Sequence, residues 1–65
     1  MNPIEKYRVE NGLSYQKLAD LVGLDVHTVF RHTRGEGMTV RSMLQYKSKL
    51  GIDPAEHLMD EVLSR

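Results

Sequence analysis

An all-α domain of five short helices is the fold class this sequence predicts, and three observations carry it. Apolar residues recur at spacings of three and four, a cap-forming residue precedes each apolar stripe, and a glycine or an Asn-Gly pair closes each of the first four. No strand-like alternation, internal repeat or low-complexity stretch interrupts the pattern, and the linkers are short, as in a compact helical domain. A chain of 65 residues buries only about 60% of the surface its unfolded form exposes, so residues 1–65 are read as one domain with one small core.

The first helix is expected over about 3–11. Asn2 caps free N–H groups, Pro3 suits the first helical position, and Asn11-Gly12 offers a left-handed stop. Ile4 and Tyr7 share one side of it. Ser14 caps the second helix, which runs about two turns through the stripe Leu18, Ala19, Leu21 and Val22 to Gly23. Lys17 stands where a capping box would place Glu, so the box is incomplete. Asp25 caps the third helix, about 26–34, its carboxylate meeting both the orphan amides and the positive helix end, and "RGEG" at 34–37 closes it. Thr39 caps the fourth, whose Val40, Met43, Leu44, Tyr46, Lys47 and Leu50 follow helical spacing up to Gly51. Asp53-Pro54 repeats the cap-then-proline signal, and Ala55, Leu58, Met59, Val62 and Leu63 form the stripe of a fifth helix.

Composition narrows the function classes. The chain has no cysteine, so neither a disulfide framework nor a thiolate metal site supports the core. No apolar run approaches the roughly 18 residues of a membrane span, and the charged N-terminal "MNPIEKYRVE" does not resemble a signal peptide, so a cytoplasmic protein is expected. The formal net charge of zero hides an asymmetry. Residues 1–49 carry an excess of about +3, while residues 50–65 hold Arg65 against Asp53, Glu56, Asp60 and Glu61, about −3. His27 and His32 lie about 140° apart around a helix and no Cys completes a set, so no metal or cofactor is expected. Ser14, Asp25 and His27 are triad residue types, but nothing in so small a chain implies a pocket or an oxyanion hole.

The second and third helices, joined by a short turn opened by Gly23, have the layout of a helix-turn-helix. Ala19 is small enough for the helices to cross closely, Gly23 permits the positive φ of a tight turn, and Leu24 and Val29 fill the angle between them. With Arg34-Gly35 at its end, "LSYQKLADLVGLDVHTVFRHTRG" from Leu13 to Gly35 resembles, without a gap, the motif of the lambdoid phage repressor and Cro family. The following "MTVRSMLQYKSKLGIDPAEHL" is similar to that family's next two helices.

The resemblance implies a lambda-repressor-like DNA-binding domain that acts as a homodimer on a pseudo-palindromic operator. The family's base-reading positions fall on Val26, His27, Phe30 and Arg31. Arg31 suits guanine O6 and N7, His27 a base edge or phosphate, and Val26 or Phe30 a thymine methyl. Tyr15 takes the place of a family Gln, with Gln16 beside it, and Tyr15, Gln16, Lys17, Arg34 and Arg41 are candidate phosphate contacts. Leu58, Met59, Val62 and Leu63 exceed what one stripe must bury; they either pair with a second copy or complete the core. The family often pairs a first-helix Arg with a Glu late in the third helix; here Arg8 is present but Thr33 fills the acidic position. His32 stands where the family usually has an apolar or aromatic residue. A protein-interaction module on the same scaffold, such as an antitoxin-like or regulator-partner domain, is the alternative, favoured by zero net charge and by Val26 and Phe30 on the outer face.

Two rotations of the third helix compete. The family register places Val26, His27, Phe30, Arg31 and Arg34 within an outward arc of about 140° and turns Val29 and His32 inward. Periodicity alone favours another, with Val26, Val29, Phe30 and Thr33 on the core and His32 in solvent. The turn geometry of Ala19 and Gly23 favours the first, and the position of Phe30 against His32 separates them.

Overall fold

The computed structural model describes residues 2–54, which form four α-helices and no strand: α1 (Pro3–Glu10), α2 (Tyr15–Val22), α3 (Val26–Thr33) and α4 (Val40–Leu50). Four helices thus stand where five were expected. The fifth, with Ala55, Leu58, Met59, Val62 and Leu63, lies outside the described residues.

Each described helix begins at the anticipated cap. Asn2 Oδ1 accepts from the Glu5 amide at 2.9 Å, Ser14 Oγ from Lys17 at 3.0 Å, and Thr39 Oγ1 from Ser42 at 3.1 Å. Asp25 Oδ2 accepts from both His27, at 2.9 Å, and Thr28, at 3.3 Å. These side chains satisfy amides that have no partner within their own helix. Gly23, at φ 75°, ends α2; its amide and that of Leu24 both donate to Ala19 O, at 2.8 and 3.1 Å. A left-handed residue here reverses the chain within three residues, and a side chain would strain it.

Ile4, Leu18, Ala19, Val22, Val29 and Tyr46 form the buried core. Tyr7, Leu13, Leu24, Val26, Met38, Leu50 and Ile52 pack partly buried around it. Three members of the expected stripes depart from them: Leu21, Val40 and Leu44 are 44%, 71% and 61% exposed. The cause is angular. α2 buries Leu18, Ala19 and Val22, and Leu21 sits about 100° from their centre; α4 buries Tyr46, and Leu44 lies about 160° round from it.

Side-chain bonds tie the helices to one another. Asn2 caps two of them at once: while its oxygen caps the start of α1, Nδ2 donates to the His32 and Thr33 carbonyls at 2.9 and 3.1 Å, at the end of α3. Gln45 Nε2 donates to Val22 O at 2.9 Å, joining α4 to the end of α2. Thr33 is buried, and its hydroxyl donates to Phe30 O at 2.6 Å.

Candidate functional site

The rotation of α3 decides what the molecule presents. Val29 and His32 are buried at 0% and 1% exposure, whereas Phe30 is 40% exposed. His27 and Arg31 are exposed as well, and Val26 is half-buried, packed against the core. The outward face of α3 is therefore His27, Phe30 and Arg31, with Val26 at its edge and exposed Arg34 just beyond its last turn.

His32 can be buried because both ring nitrogens find partners. Nε2 donates to Gly37 O at 3.3 Å; a carbonyl only accepts, so Nε2 carries the proton, and Nδ1 accepts from the Tyr46 hydroxyl at 2.7 Å. Burial pushes the His32 pKa down; the Gly37 carbonyl opposes that shift and the nearby Arg31 charge adds to it. Burial likewise pushes the Tyr46 hydroxyl up, so it remains a donor. A satisfied imidazole thus occupies the place that hydrophobic patterning alone would give to Phe30.

Phe30 is exposed but not loose. Its ring meets that of Tyr15 edge to face, with centroids 5.0 Å apart and planes at 76°. The Arg8 guanidinium stacks over Tyr15 at 4.2 Å, and that of Arg34 approaches Phe30 at 5.7 Å. The four side chains make a row, cation, ring, ring, cation, running from α1 across α2 to the end of α3. Arg8 does not reach Thr33, the position that lacks the family's acid. It pairs within α1 instead, Nε donating to Glu5 Oε1 at 2.8 Å and Nη2 bonding to the same oxygen, while Nη1 donates to Leu13 O at 2.9 Å. Hydrogen bonding to Glu5 raises the Arg8 pKa above its usual value.

The other candidates are placed unevenly. Gln16 donates to Asp20 at 3.0 Å along α2, and Lys17 is exposed one position on. Arg34 approaches Glu36 at 4.0 Å, an exposed pairing that contributes little. Arg31 lies against the turn after α3: a Cβ at Gly37 would stand 3.5 Å from its guanidinium. Gly37, at φ 69°, makes the turn in the left-handed conformation, and a side chain there would be strained by the backbone rather than by Arg31, which is at ordinary contact distance. Arg41 is exposed on the first turn of α4, a separate element, and Leu58, Met59, Val62 and Leu63 lie outside the described residues. Tyr15, Phe30 and Arg34 are brought together, and with them Arg8, for which the sequence offers only an ion pair lacking its acid. Contacts between rings and guanidinium groups on three different elements leave no periodic signal.

A cavity of about 240 Å³ is lined by Asn2, Pro3, Ile4, His32, Gly35, Met38, Met43 and Pro54. Among the described residues His32 is the one titratable side chain in that lining, and both its nitrogens are engaged, so no set of described polar groups converges there. Among the described residues no group of three or more His, Cys, Asp or Glu side chains is placed to hold a metal ion, and no helix is long and apolar enough to cross a membrane. No protein-family model matches the chain, and neither does any curated protein or solved structure.

Proposed function

We propose that this protein is a sequence-specific DNA-binding regulator, similar to the phage repressors and Cro proteins, in which α2 and α3 act as a helix-turn-helix and α3 enters the major groove. The observation that carries this reading is the rotation of α3. It turns Val29 and His32 inward and leaves His27, Phe30 and Arg31 on the outer surface, with the start of α2 beside them. A groove-reading helix needs base-edge donors and apolar groups on its free face, and phosphate donors on flanking elements.

In this reading Arg31 and His27 meet base edges, Phe30 and Val26 make apolar contacts, and Tyr15, Gln16, Lys17, Arg34 and Arg41 contact phosphates. The protein works in the cytoplasm as a homodimer, two copies of α3 meeting half-sites about one helical turn apart, with Leu58, Met59, Val62 and Leu63 as the proposed dimer contacts. No cofactor is required.

Selection of bound sites from a pool of random duplex DNA, followed by a salt titration, tests this reading. The expected result is an enriched motif whose binding falls steeply with salt as phosphate counterions are released. Failure to enrich any motif at low salt overturns it.

A second reading, a protein-interaction module of the antitoxin or regulator-partner kind, draws on the exposure of Val40 and Leu44 together with that of Phe30. An apolar partner interface would be nearly insensitive to salt.

A further inference from the structure

The outward face of α3 has a restricted chemistry. Val26, His27, Phe30, Arg31 and Arg34 include no Asn, Gln, Asp or Glu. Adenine is matched by an amide that donates and accepts together, and the cytosine amino group by a carboxylate; neither is offered. What this face does offer is guanidinium groups, which fit guanine O6 and N7, the His27 imidazole, and apolar groups, of which the exposed Phe30 ring is the larger and Val26 is half-buried against the core. The one apolar group on a pyrimidine edge in the major groove is the methyl on C5.

We propose that Phe30 reads the C5-methyl group of a pyrimidine, and that Arg8 and Tyr15 are positioning residues which hold the ring for that contact. The inference rests on the DNA-binding reading and specifies its ligand. Phe30 is contacted by two side chains, Tyr15 edge to face at 5.0 Å and the Arg34 guanidinium at 5.7 Å. Tyr15 is held in turn by Arg8 at 4.2 Å, whose own guanidinium is fixed by Glu5 and by the Leu13 carbonyl. An aromatic side chain on a helix surface ordinarily loses rotamer freedom when it binds; one already confined loses little, so the methyl contact is kept. The clamp uses the ring of Tyr15, whereas a phosphate contact would use its hydroxyl. Those two roles are separable by substitution.

The test starts from duplexes selected out of the random pool by the intact protein. Each thymine of the enriched motif is replaced in turn by deoxyuridine, which removes the methyl and nothing else. At one position per half-site, wild-type affinity is expected to fall roughly three- to fivefold, the effect of unburying a single methyl group. In Phe30→Ala the thymine-to-uracil ratio should drop to about one. Tyr15→Leu should lower it in the same direction, and Tyr15→Phe, which keeps the ring, should preserve it even where overall affinity declines. Cytosine and 5-methylcytosine at that position distinguish the two sources of the methyl: a gain on methylation adds methylcytosine as a ligand, and no gain confines the contact to thymine.

An enriched motif with no sensitivity to uracil overturns this inference while leaving the DNA-binding reading intact. So does a ratio unchanged in Phe30→Ala. An unchanged ratio in Tyr15→Leu removes the positioning role. No enriched motif at all refutes the DNA-binding reading, and this inference with it.

Discussion

Tyr46→Phe removes one oxygen from the core, and the effect should be large. Tyr46 is fully buried, and its hydroxyl donates to His32 Nδ1 at 2.7 Å. With Nε2 protonated toward Gly37 O, the neutral ring has only an acceptor at Nδ1, and phenylalanine leaves that acceptor buried with no donor. An unsatisfied buried polar group costs about 1–3 kcal/mol. In a domain of this size each kcal/mol moves Tm by about 4–8 °C, so a drop of roughly 5–20 °C is expected, measured by far-ultraviolet circular dichroism at about pH 8. The same site sets a pH dependence. The folded pKa of His32 lies below its usual value near 6.5, so on acidification the unfolded chain takes up a proton that the folded chain resists. Stability is therefore full above about pH 6.5, falls as the pH drops from there toward the folded pKa, and levels off below it. His32→Phe should flatten that decline. A Tyr46→Phe protein that melts within about 1 °C of wild type at pH 8, or a wild type equally stable on both sides of the usual histidine pKa, would refute the account of the buried pair.

Arg31→Ala and His27→Ala should abolish site preference in a DNA-binding assay while leaving Tm nearly unchanged, because both side chains are exposed. Lys17→Ala and Arg34→Ala should weaken binding to all sequences alike and reduce the slope of affinity against salt by about one unit each. Asn2→Ala should destabilise by about 1–2 kcal/mol in chemical denaturation, since it removes the cap of α1 and both donors to the end of α3. Asn2→Asp, which keeps the cap but turns an acceptor toward the His32 and Thr33 carbonyls, should recover only part of that loss; full recovery would show that the bridge to α3 contributes nothing.

Much of the local structure was legible in the chain. Asn2, Ser14, Asp25 and Thr39 cap the described helices as expected, and Gly23 and Gly51 stop α2 and α4 in the left-handed conformation. Such signals are read within a few residues, because caps and left-handed stops act on backbone groups one turn away. Burial was less legible. Leu21, Val40 and Leu44 fit their stripes yet face outward, since spacing marks apolar residues without saying how wide an arc the neighbouring helices cover.

The site shows the same division. The residue types on α3 and their angular separations follow from the sequence and from 100° per residue. Which arc faces outward does not, because Val26, Val29 and Phe30 satisfy a helical period in a register that buries Phe30. The tertiary structure decides it by pairing His32 with the hydroxyl of Tyr46, fourteen residues on, and with the carbonyl of Gly37, while Tyr15 and Arg8 hold Phe30 at the surface. The sequence alone thus determined four capped helices and the chemistry available on each. Only the assembled core could turn α3, because burying an imidazole is tolerable only where donor and acceptor from distant elements meet it.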